Sequence, residues 1–343
     1  MWNTGMVLLF RDWNERIVPM FQSIVTGRIE MKKNAPGRPK QKFSVYMKKY
    51  WQLYAMLLLP LTYLLVFKYF PMVYVQIAFK KYSLVKSIWE LPLADNHGFE
   101  FFIKAFKNND FKYALRNTLT LNLLDLIFGF PAPIIFALIL NELCFKNYKK
   151  VVQTIAYMPH FLSWVIIYSL ALQLLAPTDG LVNMVITKLG GSVIPFLNDE
   201  KHWIGSYIGF GIWQNFGWGS IVYLAAIAGI NPELYEAASV DGAGRFRKMW
   251  HITLPGIKPT IVVLLIMSLG NILGGGFDRP FAFQNNLVMR VADVIATFVY
   301  RVGIKGLQFS LTTAVGLFQS VVGVFFLLTA NWISRRMGER GIW

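Results

Sequence analysis

Six stretches of about 20 or more mostly apolar residues, at 53–79, 114–140, 152–176, 204–229, 256–276 and 311–334, restrict what this chain can fold into more than any other feature. A helix needs roughly 20 such residues to cross about 30 Å of hydrocarbon, and it satisfies its own backbone hydrogen bonds on the way. The expected fold class is an all-α membrane protein with about six transmembrane helices. The composition fits: 55% of residues are hydrophobic and only 15% charged, against about 25% in soluble domains. The first stretch carries Lys68 and Pro71, so it is expected to end near Tyr69 or to kink there. The fifth finishes in Gly274, Gly275 and Gly276, so it is expected to tilt, break or borrow residues from the segment before it.

The net charge of +16 would suggest a nucleic-acid partner in a soluble protein. Here the basic residues follow the membrane topology, and no nucleic acid is needed to account for them. Twenty Lys and Arg fall in residues 1–52, 141–151, 230–258 and the C-terminus, against thirteen in 80–116, 177–203 and 277–310. Positive charge marks the cytoplasmic side, which puts both termini in the cytoplasm. Residues 1–49 read as a basic cytoplasmic tail lying beside membrane lipids, either purely topogenic or lipid-binding, and residues 50–343 as a six-span domain. Met31 is an alternative start. The single Cys144 allows neither an internal disulfide nor a Cys-cluster metal site, and the four His show no ligand spacing.

The segment at 231–258 carries the most information. Asn231 suits a helix N-cap, Pro232 the first helical position and Glu233 the positive end of the dipole, so a short helix should begin there. Ala237, Ala238, Gly242 and Ala243 leave little side-chain bulk, so another protein can approach the backbone closely. Gly242 and Gly244 favour a bend. A second short helix is then expected through Phe246, Met249, Trp250 and Ile252, ending at Leu254–Pro255, with Pro259 opening the next span.

This stretch resembles the cytoplasmic coupling motif of ABC importer permeases. That pattern begins Glu-Ala-Ala, has Gly six positions after the Glu and closes Ile-x-Leu-Pro. Glu236, Ala237, Ala238, Gly242, Ile252, Leu254 and Pro255 occupy those positions, and Asp241, Gly242 and Ala243 give the common Asp-Gly-Ala variant. Asn117-Thr118-Leu119, Gly129-Phe130-Pro131-Ala132-Pro133, Tyr157-Met158-Pro159-His160-Phe161-Leu162-Ser163-Trp164 and the ending from Asp293 to Gly341-Ile342-Trp343 are similar to the lipoprotein-associated sugar permease branch. Together these cover most of residues 50–343. The resemblance implies a type I, maltose-permease-like ABC importer permease of the bacterial plasma (inner) membrane. Its implied partners are a second permease subunit, two ATPase subunits and an extracellular or periplasmic solute-binding lipoprotein. The implied cargo is an oligosaccharide or other complex carbohydrate.

The chain holds no Gly-x-x-x-x-Gly-Lys-Ser/Thr, so ATP and Mg are expected on the partner ATPase subunits and no cofactor on this one. Glu236 is expected to make a charge-assisted bond to a basic residue of an ATPase. Asn122, Asp125, Gln173, Gln214, Asn215 and Asn271 are candidates for the solute path, because polar groups within spans face protein or water. Interhelical hydrogen bonds are the other reading of each. Trp164, Trp213, Trp218 and Tyr223 either stack on sugar rings or pack near span ends. Asp125 is the only acidic residue deep in an expected span, and a proton-coupled role for it belongs to the alternative of an ion-coupled secondary transporter or channel.

Overall fold

A computed structural model describes residues 49–143, 145–336, 338 and 341. The expected basic tail, apart from Lys49, lies outside them, as do Met31, Cys144, Ile342 and Trp343. Regular structure among the described residues is helical, with one isolated antiparallel bridge between Lys80 and Leu93. By internal contacts they divide into a unit ending at Phe70 and a unit beginning at Pro71. In the first, α1 (Trp51–Leu64) runs into a π-helical turn, Leu65–Tyr69.

The second unit begins within a 3-10 segment, Phe70–Phe79, and continues with α2 (Glu100–Lys107), α3 (Asn109–Leu124) and α4 (Pro131–Asn141). It goes on through α5 (Lys146–Tyr157), α6 (Trp164–Leu175), α7 (Leu181–Lys188) and α8 (Glu200–Ala228). α9 (Pro232–Val240), α10 (Arg245–Lys248) and α11 (Leu254–Gly270) follow. The short helices α12 (Asp278–Phe283), α13 (Met289–Ala292) and α14 (Ile295–Val299) precede the last, α15 (Phe309–Arg336).

Among the described residues, four continuous helical stretches are long and apolar enough to cross a membrane: Trp51–Phe79, Asn109–Asn141, Arg245–Gly270 and Phe309–Arg336. A fifth is reached if Asn147–Phe161 and Trp164–Leu175 count as one span, and these are bent by 104°. The third span, expected at 152–176, is thus broken rather than continuous. Pro159 ends the first arm, Leu162 is extended, and Ser163 starts a new helix by accepting the Ile166 N–H at 3.4 Å. The fourth expected stretch is α8, 29 residues and about 43 Å long. Gln214, Asn215 and its many glycines hold it below the apolarity of the other four.

α8 is nevertheless central to the packing. Trp203, Tyr207 and Ile208 join Ile167, Phe283 and Val288 in one core, and Tyr223 and Ile227 join Ile134, Ala137 and Ile257 in another. Three of its glycines, Gly211, Gly217 and Gly219, admit neighbours closely, while Gly205 and Gly209 face open space. A Cβ on Gly217 would overlap the Ala156 carbonyl, and one on Gly219 would meet Pro133 at 3.1 Å. At its N-terminus Asp199 accepts the Lys201 and His202 N–H groups, and the His202 ring bonded to it at 2.7 Å holds its carboxyl below the usual carboxylate range.

Three prolines, Pro71, Pro131 and Pro255, are accommodated by a recurring device, whereas Pro60 and Pro259 lie within ordinary α-helix. A proline lacks an N–H and its ring strikes the carbonyl four residues earlier. A π turn at Asp125–Gly129 precedes Pro131, and another at Met249–Thr253 precedes Pro255. Each is centred on the residue four positions before the proline. In each, the residue ahead of the proline donates to a carbonyl five positions back: Phe130 to Asp125 and Leu254 to Met249. Phe70 donates in the same way to Leu65, and the next residue in sequence is Pro71. The helix widens and goes on. This corrects the expected break at Leu254–Pro255, because Arg245–Gly270 is one continuous helix that also contains Pro259. The fifth span thus borrows its length from the preceding segment.

Asn117 and Thr118 gain a physical role. The buried Asn117 amide donates to the Arg290 and Asp293 carbonyls, both at 2.9 Å, and the Thr118 hydroxyl accepts the Ile295 N–H at 2.9 Å. Together they pin residues 290–295 to α3. Asn117→Ala leaves two carbonyls without this partner, and a loss of about 2 kcal/mol is expected. Thermal unfolding of the purified variant in detergent should show a midpoint lower by several degrees, and an unchanged midpoint would remove Asn117 from this role.

Candidate functional site

The coupling segment is built as its residues dictate at its start. Asn231 Oδ1 accepts the Glu233 N–H at 3.1 Å and Pro232 opens α9. The helix closes on Gly242 at φ +73°, with the Gly242 N–H donating to Ser239 and the Ala243 N–H to Ala238, at 3.1 and 2.8 Å. This is a glycine-terminated cap in which the positive φ excludes a side chain at little cost only for Gly. Two side-chain bonds tie α9 to the next helix. Tyr235 Oη and Thr253 Oγ1 lie 2.9 Å apart, and Lys248 Nζ donates to Ser239 Oγ at 2.6 Å.

Of the motif residues, Glu236, Ala237, Asp241, Gly242 and Pro255 are exposed, while Ala238, Ala243, Ile252 and Leu254 are half-buried. Among the described residues Glu236 makes no hydrogen bond or ion pair. Beside it stand apolar side chains that a lone chain would not leave in water: Phe246 is 83% exposed, Trp250 65% and Val240 88%. Behind the segment, Ile257 is fully buried and Met249 and Leu254 pack on the Tyr223–Ile227 core.

Three expected solute-path residues come together. Asn122, Asp125 and Asn271 line one cavity of about 260 Å³ with Phe130, Ser268 and Gly275. Asn122 Nδ2 donates to the Ile272 carbonyl at 2.6 Å, which fixes the chain where α11 has ended. The other three lie elsewhere. Gln173 lines a separate, mostly apolar cavity with Phe210 and Trp213. Gln214 donates to the Leu162 carbonyl at 3.0 Å and Asn215 to the Gly211 carbonyl at 3.0 Å, so both are engaged in helix contacts. Trp218 stacks on His160, Trp164 packs near Phe283, and Tyr223 is buried.

Asp125 does not stand alone. Arg279 on α12 grips it with two bonds, Nη1 to Oδ2 at 2.7 Å and Nη2 to Oδ1 at 3.3 Å. The guanidinium also donates to the Tyr207 carbonyl at 2.5 Å and lies 3.7 Å from the Tyr207 ring centre and 5.3 Å from that of Trp164. A Cβ on Gly211 would overlap it, which explains that glycine. Sequence reasoning missed Arg279, counting it as a loop charge. The one available signal was the unpaired acid itself, which demanded a cation it did not name. Asp125 is thus one half of a bidentate ion pair that joins the turn before α4 to α12, and not the lone acid that the ion-coupled alternative drew on.

Residues 114–339 match the family described as binding-protein-dependent transport system inner membrane component. The chain belongs to that family. It is the permease component of a binding-protein-dependent ABC importer, multi-pass in the inner membrane, and ATP hydrolysis resides on a separate component. This permease is 46% identical over 290 residues to the protein LplB of Bacillus subtilis strain 168, covering 84% of this chain and 90% of that one. It is 45% identical over 295 residues to YteP of the same strain, a polygalacturonan/rhamnogalacturonan transport system permease, covering 85% and 90%. A crystal structure of a bacterial alginate ABC transporter, in complex with its alginate pentasaccharide-bound periplasmic protein, contains a chain 42% identical to it. The two superpose with a TM-score of 0.79 over 88% of this chain and 100% of that one.

The permease joins its two sites through one element. The helix Arg245–Gly270 starts at the coupling segment, and Ser268 near its far end lines the cavity. At 26 residues it spans about 39 Å without a break. The Tyr235–Thr253 and Lys248–Ser239 bonds tie α9 to this helix.

Proposed function

We propose that this permease carries an oligosaccharide or polysaccharide fragment, delivered by an external binding protein, through alternating access driven by ATPase subunits docked on residues 231–258. The supporting observation is the unbroken helix from the coupling segment to the cavity of Asn122, Asp125 and Asn271, with an unpaired Glu236 and exposed Phe246 and Trp250 at its cytoplasmic end. The permeases of similar sequence that handle polygalacturonan and alginate support a carbohydrate cargo. ATPase closure would displace α9, and the helix would tilt the cavity wall, a two-state element biased by a distant ligand.

In this reading Glu236, Ala237, Ala238, Asp241, Gly242, Ala243, Ile252, Leu254 and Pro255 form the ATPase contact. ATP and Mg sit on two partner ATPase subunits, and a second permease subunit completes the pathway. α8 is the sixth span despite its polarity, since Gln214 and Ser220 are buried and Asn215 bonds to its own helix. Both termini are cytoplasmic, residues 1–49 form a basic tail, and residues 50–343 form the permease domain.

Mass analysis of what copurifies with the C-terminally tagged chain, gently solubilised from its own membranes, tests the assembly. A stoichiometric ATPase and a second permease chain are expected. Recovery of this chain alone, or as a homo-oligomer in several mild detergents, would remove the coupling reading.

A further inference from the structure

A second polar cluster, at the N-terminal end of α3, is used by neither the coupling segment nor the Asp125 cavity. Asp110, Tyr113, Met289, Arg290, Asp293 and Arg301 line a cavity of about 330 Å³. Its frame is fixed by the Asn117 bonds to the Arg290 and Asp293 carbonyls. Both of its carboxylates face one cation. Arg301 donates to buried Asp293 at 2.5 Å and to Asp110 at 3.3 Å, and Thr297 Oγ1 donates to the other Asp293 oxygen at 2.7 Å.

Arg290 has no such partner. Its guanidinium lies 5.8 Å from the Tyr113 ring centre, and that of Arg116 lies 5.4 Å from the same centre. Among the described residues neither Arg290 nor Arg116 pairs with a carboxylate, and both side chains and Tyr113 are exposed. Two like charges gathered on one ring repel each other, and a carboxylate placed between them would reverse the sign of that interaction. A guanidinium fork matches a carboxylate in shape, and an exposed tyrosine beside it offers a flat apolar surface to a pyranose ring.

We propose that Arg116, Tyr113 and Arg290 form an entry site for uronate residues of an acidic sugar chain. The inference rests on the importer reading and on residues 80–116 and 277–310 facing outward, where a binding protein would release its cargo. It deepens that reading by naming a negatively charged carbohydrate. The cavity lined by Tyr113 and Arg290, about 330 Å³ with Arg116 standing outside its lining, is of single-sugar size, which suits a uronate ring better than the broad acidic face of a protein.

The test uses the complete assembly with its ATPase subunits in nanodiscs at low salt, probed with trigalacturonate and, as the neutral control, galactotriose. Wild type should bind trigalacturonate more tightly. Arg116→Gln with Arg290→Gln should weaken it by about tenfold or more and leave galactotriose unchanged, while Lys at both positions should retain most of the binding. If the double variant does not assemble, Arg290→Gln alone should still weaken trigalacturonate severalfold, since Arg290 supports no other side chain. Equal trigalacturonate affinity in wild type and the Gln variant would overturn the site. A variant that loses only capture of the unloaded binding protein would also overturn it, showing a protein contact instead. Binding-protein-stimulated ATP hydrolysis by wild type tests the importer reading separately: its absence sinks that reading, and its presence with unchanged sugar binding sinks the entry site alone.

Discussion

Glu236→Lys should abolish coupled transport while leaving the permease itself as stable as wild type. Glu236 is exposed and, among the described residues, touches no charged or hydrogen-bonding partner, so reversing its charge removes nothing the fold uses. If it meets a basic residue of an ATPase subunit, the reversal replaces attraction with repulsion in a contact that association desolvates. Such changes cost about 2–5 kcal/mol, or roughly thirtyfold and upward in affinity. The ATPase subunits should therefore fail to copurify, and binding-protein-stimulated ATP hydrolysis should fall below about a tenth. The unfolding midpoint of the isolated permease should not move. Gly242→Val supplies a contrast, because it strains a left-handed cap and should lower that midpoint by a few degrees as well as weaken docking. Retention of the ATPase by Glu236→Lys would show that the segment docks elsewhere.

Asp125→Asn should destabilise the permease by about 3–5 kcal/mol, the cost of leaving a buried cation without its counter-charge. The Arg279 side chain is only 12% exposed and already has its Nε buried without a partner, so solvent cannot replace the lost carboxylate. The variant should unfold at markedly lower temperature in detergent and transport little. Asp125→Asn combined with Arg279→Met should recover most of the loss, since an apolar side chain between Tyr207 and Trp164 needs no counter-charge. A stable single variant, or a double variant no better than the single, would show that the ion pair does not hold α12 in place.

What could be read from the sequence follows the range of the interactions. The coupling segment was legible because its rules are local: Asn231 caps two residues on, and Gly242 closes a helix whose end lies beside it. The solute-path candidates were legible only as a set. Polarity within a span picks out Asn122, Gln214 and Gln173 alike, but which of them meets a cavity depends on packing across the bundle. Asn122 reaches a carbonyl 150 positions away and Arg279 reaches Asp125 across 154, separations at which residue type carries no geometric signal. The missed continuity at Pro255 and the missed bend within 152–176 share a cause. A proline announces a perturbation but not its form, and here one was absorbed by a widened turn while the other lies at a sharp bend.

That widened turn makes length and angle inseparable in this molecule. A π turn amounts to one surplus residue in an α-helix, and one residue is about 100° of rotation. Between Phe246 and Ser268 the helix therefore carries a built-in phase offset, introduced at Met249–Thr253. The azimuth at which Phe246 and Trp250 stand and the azimuth at which the far end meets the cavity are set by that offset. A single-residue deletion within it would take out the surplus and leave the two ends in phase, whereas the same deletion elsewhere along the helix would shorten it by about 1.5 Å and turn one end against the other by about 100°.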